Sequence, residues 1–483
     1  MGEKIPHWLD KQVELNPNKE ALRLPHRRTL TFKELQIKSR AVGAGMKQKG
    51  IDKGTTIALL LDNQEEMPVW IHAVSYVGAI AVLLNNRLTA EEIAYQLNDA
   101  DVSYVFTNDR LIDVASEATS SIPIWNVDDF QPSSRESVSL VEDLDLDEVF
   151  TMMYTSGTTG HPKAVMHTYG NHYYSAISSA LNLGLQSDDQ WLLCLPMFHV
   201  GGFSMIMKGV IYGVTVEILE KFHAETVLEA IFNRGITHVS VVTVMLQRLI
   251  EQLGNQTYPD HFRCMLLGGG PVPEKVLKQS YERNIPVFQT YGMTETSSQI
   301  ATLSPEFAFQ KLGSAGKALS PASLIVDADQ GEVGEILVRG PMVSKGYYNR
   351  PVPDQDYFRT GDLGYQDEDG FLYVVDRVKD VIISGGENIY PAEIESVLTS
   401  YPGVREAGVT GRKDEQWGEA PVAFLVVDDP TSFRKEDVLR FCEEKLAKYK
   451  WPKDIHTITS LPRNASNKIL RRKLFEALEE ERL

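Results

Sequence analysis

The chain has 483 residues, 43% of them hydrophobic and 24% charged, with 48 basic side chains against 66 acidic ones and a net charge of −18. That length exceeds what one compact core uses and fits two domains or more. The acidic balance excludes a general polyanion binder, and with it nucleic acid as a macromolecular partner, but not a small phosphorylated ligand that needs only a local cluster of donors.

In chain order, the start from Met1 to Pro6 has no basic-then-apolar leader, and Pro6 stands where a myristoylation motif wants Ser or Thr. The most apolar window, Val69 to Leu84, is shorter than the ~20 residues that span a bilayer and carries His72, Ser75 and Tyr76. It reads as a buried helix running into a strand, so no integral membrane association is expected. Cys194, Cys264 and Cys442 form neither metal-type spacing nor a disulfide framework, which fits a reducing cytoplasm. A homo-oligomer is compatible with all of this.

From about Thr56 to Gly292, short β-type runs alternate with helix-like stretches, the pattern of parallel sheets covered by helices. Strands are predicted at Thr56–Leu61, Val102–Thr107, Phe150–Thr155, Gln190–Pro196, His238–Val242, Phe262–Gly268 and Pro286–Tyr291. Between Gly313 and Asp376 the pattern becomes short strands and Gly-rich turns, a small antiparallel β unit. Beyond it an α+β pattern follows: strand Val381–Ser384, helix Pro391–Thr399, strand Pro421–Val427, helix Lys435–Leu446, and a last helical run over Ile469–Glu480. The expected class is α/β: a large N-terminal domain over residues 1–375 (its β unit at about 313–375), a hinge at 376–379, and a smaller mobile α+β domain over 380–483.

Six segments carry chemistry. Tyr154-Thr-Ser-Gly-Thr-Thr-Gly-His-Pro-Lys163 follows a strand and packs hydroxyls, two glycines and a lysine into ten residues, a phosphate cradle of backbone N–H groups, hydroxyls and one cation. It is not a Walker A loop, because His161-Pro162 separates the second glycine from Lys163. Gly268-Gly-Gly-Pro271 closes a strand where a flat ring can approach bare backbone. Gln289 to Glu295, Arg359 to Gly364, Asp376 to Pro391 and Pro462 to Lys468 complete the set. Read alone, Thr294-Glu295 is a helix cap, Asp362 and Arg377 are surface ions, and Lys468 is a solvated lysine.

Together and in this order, these motifs resemble the adenylate-forming superfamily of acyl- and aryl-CoA synthetases, luciferases and peptide-synthetase adenylation domains. The resemblance implies ATP and Mg²⁺ as cofactors and coenzyme A as cosubstrate. It assigns Thr155, Ser156, Gly157, Thr158, Thr159, Gly160 and Lys163 to the phosphates, Thr294 to a phosphate contact and Glu295 to Mg²⁺. Asp362 and Arg377 go to the ribose; Gly268, Gly269, Gly270, Tyr291 and Gly292 line the adenine and acyl sites. Lys468 stabilises charge on the α-phosphate, Lys379 is the hinge of a domain rotation, and Gly386 borders the pantetheine channel. Ala164 and Asn467 depart from the family, which commonly has Gly at both positions.

Several stretches, among them Gly170 to Gly184 and Leu461 to Lys468, are similar to the subfamily that ligates 2-succinylbenzoate to coenzyme A in bacterial menaquinone biosynthesis. That substrate is a small aromatic dicarboxylic acid, and its second carboxylate needs donors once buried. His199, in Pro196 to Gly202 where the family builds its acyl pocket, together with Ser297 and Ser298, is the expected source. The competing readings are another aryl- or acyl-CoA ligase of the same mechanism and an enzyme that loads a carrier-protein thiol.

Overall fold

The structure is a computed structural model that describes residues 2–24, 28–130, 138–155, 162–269, 272–352, 355–385, 387–431, 433–463 and 469–481. Two large sheets form its N-terminal part. The first has six strands in the order Lys163–Thr168, Val149–Thr155, Ile80–Leu83, Thr56–Leu60, Tyr104–Thr107 and Ile124–Asn126. All but the first pair run parallel. Thr56–Leu60 is buried at every position, as a parallel strand covered on both faces must be. The apolar window is a helix, Glu66–Val77, buried from Met67 through Val77, then the strand Ile80–Leu83. Gly78 ends the helix at φ 74°, the left-handed cap that glycine adopts without strain.

The second sheet has nine strands. Its centre runs Ser298–Leu303, Val287–Met293, Cys264–Gly268, His238–Val242, Gln190–Leu193 and Thr215–Ile218, parallel except for the first pair. Val242 lies opposite Gly268, and Leu267 opposite Gln289. Their carboxyl ends therefore share one edge, the place where open α/β sheets bind ligands. Glu20–Arg23 and Thr29–Thr31, which sequence patterning did not predict, extend the opposite edge.

The expected β unit is a four-stranded antiparallel sheet: Ser323–Val326, Gly334–Arg339, Phe358–Gln366 and Leu372–Arg377. The C-terminal part has five strands around Gly418–Val427, which pairs along its length with Val404–Asp414. Alternation divides Gly418–Val427 between two cores: Ala423 and Leu425 pack with Ile394, Leu398, Val438 and Cys442, whereas Val422 and Phe424 pack with Ile458, Leu461, Leu474 and Leu478. One prediction needs correction. The run Ile469–Glu480 is not a single helix: Ile469 bridges to Arg463, Arg471–Lys473 is a 3₁₀ turn, and the α-helix covers Leu474–Glu480. Three successive basic residues offer no apolar stripe to pack, and Arg471 is held by carboxylates instead.

Candidate active site

Asp362 and Arg377 are direct cross-strand partners in the antiparallel pair Phe358–Gln366 and Leu372–Arg377, so both side chains leave the same face. Arg377 Nε is 3.2 Å from Asp362 Oδ1, and the Tyr291 hydroxyl donates to Asp362 Oδ2 at 2.9 Å. Asp362 is 7% exposed. A carboxylate oxygen has room for two donors, so one donor on each leaves acceptor capacity for a pair of ligand hydroxyls. Burial, and then the Asp362 charge, hold the Tyr291 phenol well above its ordinary pKa, so it remains a donor.

Tyr291 ends its run at Met293, and the chain turns sharply through the 3₁₀ segment Thr294–Thr296. The buried His167, on Lys163–Thr168, lies with Nε2 2.7 Å from the Thr294 carbonyl. A carbonyl only accepts, so Nε2 carries the proton. Burial lowers the His167 pKa to about 4, which keeps the ring neutral. Behind it Thr151 Oγ1 is 3.5 Å from His167 Nδ1 and 2.9 Å from His172 Nε2. The Glu295 carbonyl accepts from Ser344 N at 2.7 Å, and Glu295 Oε1 accepts from the Tyr347 hydroxyl at 2.8 Å. Beyond the turn, Ser297 at φ 58° and Ser298 at φ 156° hold backbone conformations that cost non-glycine residues about 1–3 kcal/mol each. The Thr296 hydroxyl on the Ser298 carbonyl and the Ser175 hydroxyl on the Ser297 carbonyl hold them there.

Tyr347 also meets the phosphate-loop lysine: Lys163 Nζ lies 5.1 Å from its ring centroid. The Tyr347 segment runs against Lys163–Thr168, with Tyr347 bridged to Val165 and Tyr348 N bonded to the Ala164 carbonyl at 2.9 Å. Lys163 and Glu295 are thereby fixed relative to one another by a residue that motif reading missed. Its sequence signal is weak, two adjacent tyrosines after Gly346. Thr155 pairs with Lys163 in register, so both ends of the cradle are held together. Ser156, Gly157, Thr158, Thr159 and Gly160 lie outside the described residues, as do Gly270, Gly386 and Lys468.

Two glycines are required by space. A Cβ at Gly292 would fall 2.1 Å from the Ser298 carbonyl oxygen, and Gly269 has φ +93° with Val242 Cγ1 3.1 Å from where a Cβ would be. Gly268 ends its strand beside Thr290.

On the acyl side, His199 precedes the helix Val200–Tyr212, its carbonyl accepting from Phe203 N at 2.9 Å and its ring 4.6 Å from the Phe198 ring. Ser204 of that helix touches Ser298, Oγ to Oγ 3.5 Å, which joins this helix to the Thr294–Ser298 turn. Ser297 does not suit the substrate role expected of it: it is fully buried and donates its hydroxyl to the Met342 carbonyl at 2.9 Å. Lys208, one turn beyond Ser204 on the same face, was not anticipated. It is 1% exposed, with Nζ 5.4 Å from the Trp191 ring centroid. Burial lowers its pKa to about 8, and the opposing influence is the Cys264 thiol, not a carboxylate. Its neighbours Trp191, His238 and Cys264 lie near the amino ends of their strands, beside the last turn of the helix and away from the edge that carries His199. Lys379 is exposed in the turn after Arg377, within reach of the charges of Arg377 and Asp362, and desolvation lowers its pKa.

Among the described residues no three His, Cys, Asp or Glu side chains gather as a metal cage. Glu295 nevertheless suits Mg²⁺, which takes one or two carboxylates and completes its shell with phosphate oxygens and water. Oε1 is engaged by Tyr347, and Oε2 accepts no hydrogen bond among the described residues. No helix among them is long and apolar enough to cross a membrane.

The family described as AMP-binding enzyme matches residues 9–348, and its C-terminal domain family matches residues 393–468. A 2-succinylbenzoate–CoA ligase of Oceanobacillus iheyensis is 50% identical over 482 residues, covering 98% of this chain and 100% of the relative. The o-succinylbenzoate CoA synthetase MenE of Bacillus subtilis, solved with the acyl-adenylate intermediate OSB-AMP, is 44% identical with a TM-score of 0.93 and 98% of each chain covered. A double mutant of that synthetase bound with its product analogue OSB-NCoA, also 44% identical and covering 98% of this chain and 99% of the other, has a TM-score of 0.76.

Proposed function

Because the chain belongs to the AMP-binding enzyme family, we propose that it activates 2-succinylbenzoate with ATP and passes the acyl group to coenzyme A, as an AMP-forming acid–thiol ligase of menaquinone synthesis. In the first step a carboxylate oxygen of the acid bonds to the α-phosphorus and pyrophosphate leaves. In the second the coenzyme A sulfur bonds to the acyl carbon, the thiol proton is lost, and AMP leaves.

The observation that carries this reading is a continuous line of partners, Arg377 to Asp362 to Tyr291 along one strand to Glu295, then Tyr347 and Lys163. It matches the parts of a nucleotide. Asp362 takes the ribose hydroxyls while Arg377 and Tyr291 fix its carboxylate. Lys163 and the Thr155–Gly160 loop hold phosphate oxygens, with Thr294 presented by the His167 contact on its carbonyl. Glu295 Oε2 would hold Mg²⁺, which neutralises phosphate charge when bound. Gly268 to Gly270 and Gly292 leave bare backbone for the adenine and acyl groups. Lys468 stabilises charge on the phosphorus oxygens during adenylation.

On the acid side, His199 and Ser298, joined through Ser204 to the turn that carries Glu295, are the donors for the aromatic carboxylate of 2-succinylbenzoate. The domain limits, 1–375 and 380–483 with Lys379 turning between the two steps and Gly386 bordering the thiol channel, belong to the same proposal. A cytoplasmic location suits both cosubstrates and three buried, unbridged cysteines. The test is mass spectrometry of products from ATP, Mg²⁺ and 2-succinylbenzoate: thioester and AMP with coenzyme A, bound acyl-adenylate without it. A different acid turning over selectively would keep the mechanism and remove this substrate.

A further inference from the structure

Asp376 joins the strand Leu372–Arg377 to the C-terminal part by two contacts. Its Oδ2 accepts from Ala392 N at 2.8 Å, and its Oδ1 lies 3.0 Å from Arg471 Nη1. The first contact caps a helix. Pro391–Thr399 begins after Tyr390, whose side chain makes no capping bond, so a carboxylate from outside the helix satisfies one of its open N–H groups and meets the positive end of its dipole.

The second contact makes Asp376 part of an ion cluster. Arg471, its side chain 19% exposed, grips Glu395 with two parallel bonds of 2.9 and 2.8 Å and reaches Asp380 Oδ2 at 2.9 Å through the nitrogen that holds Asp376. Glu395 in turn accepts from Val409 N at 2.9 Å. Asp380, Glu395, Val409 and Arg471 all follow Lys379 in the chain and move as one body. Asp376 precedes Lys379, and its neighbour Arg377 holds the ribose-site carboxylate Asp362. The cluster thus has three members on one side of the hinge and one on the other. Side-chain charge–charge bonds of this kind, partly shielded from water, are the strong ones.

This arrangement is closer to the acyl-adenylate complex of the Bacillus subtilis relative than to its product-analogue complex, a difference between structures that share 44% identity with this chain. We propose that Asp376 is a positioning residue that latches the C-terminal domain in the adenylation arrangement, through Arg471 and the N-terminus of the Pro391–Thr399 helix, and that both contacts part before thioester formation. The inference rests on the two-step reading above.

Single-turnover kinetics on the full chain separates the halves: adenylate formation from ATP and 2-succinylbenzoate without coenzyme A, and thioester formation from pre-made 2-succinylbenzoyl-adenylate with coenzyme A. Asp376→Asn keeps the shape and removes the charge that Arg471 grips. It should slow adenylation about 10-fold and leave thioester formation unchanged or faster. Arg471→Lys should act in the same direction. Glu395→Gln disturbs the same cluster without crossing the hinge and should change both halves by the same factor. Equal loss in both halves with Asp376→Asn, or no loss in either, overturns the latch.

A second readout does not depend on the acid. Electron–electron distance measurement between spin labels at Glu117→Cys and Glu436→Cys, both exposed positions in a chain whose own cysteines are buried, should give one distance in the AMP-bound protein. Adding Asp376→Asn should populate a second distance. An unchanged single distance contradicts the latch even where the assigned acid is wrong.

Discussion

The nucleotide end of the site and its acyl end are built in opposite ways. Around Asp362 and Glu295 the two carboxylates are braced by neighbours, Arg377 and Tyr291 on one and Tyr347 on the other, with Lys163 over the Tyr347 ring and Glu295 Oε2 left open among the described residues. At the acyl end the His199 ring lies against Phe198 and the Ser298 hydroxyl meets that of Ser204. Braced carboxylates serve a nucleotide that never changes, whereas polar groups set among apolar walls select an acid by its shape and by the bonds it can make. Mutations at the first end should therefore lower turnover for every acid, and mutations at the second should alter the ranking of acids.

The largest effect is expected at Asp362. Asp362→Ala removes the ribose acceptor and leaves Arg377 and Tyr291 without their anion, so kcat/KM should fall on the order of 10³-fold for all acids, with a raised KM for ATP, in steady-state kinetics. Glu295→Gln should cost roughly 10²-fold and shift the Mg²⁺ dependence to higher concentration. His199→Leu removes a ring donor from the acyl side, and the KM for 2-succinylbenzoate should rise about 10-fold while the ratio to a monocarboxylic aryl acid narrows. Tyr347→Phe removes one hydroxyl donor from Glu295 and should cost about 5-fold, visible mainly as weaker Mg²⁺ dependence.

A smaller and acid-independent effect concerns stability. His167 and His72 are buried with pKa values lowered to about 4 and about 3 from 6.5. The unfolded chain protonates them first, so the stability of the folded state is complete above about 6.5 and is lost as pH falls toward those values, on the order of 3 kcal/mol each. Thermal melts between pH 7 and 5 should show Tm falling, and His167→Gln should flatten that slope.

The nucleotide end was legible because its chemistry is local in sequence. Gly292, Thr294 and Glu295 fall within four residues, directly after the strand expected at Pro286–Tyr291. The four-stranded β unit and the C-terminal α+β pattern were legible for the same reason, through their turns and periods. What escaped was long-range. Tyr347 reaches Glu295 across 52 positions, and Asp376 reaches Arg471 across 95. Lys208 was passed over although its helix, Val200–Tyr212, is apolar nearly all round, the mark of an enclosed helix. Glu20–Arg23 and Thr29–Thr31 are too short to signal strands alone; the first gains its pairing from Thr215–Ile218 and the second from the first. The bond from the Ser297 hydroxyl to the Met342 carbonyl, 45 residues away, is of the same long-range kind.

The most direct test of the division between the two ends is acid-dependent pyrophosphate release from ATP and Mg²⁺, run on the natural chain, Asp362→Ala and His199→Leu with 2-succinylbenzoate, benzoate, coumarate and a fatty acid. The account predicts strong preference for 2-succinylbenzoate in the natural chain, uniform loss in Asp362→Ala, and a selective loss of that preference in His199→Leu. An unchanged preference in His199→Leu, or loss in Asp362→Ala confined to one acid, would contradict it.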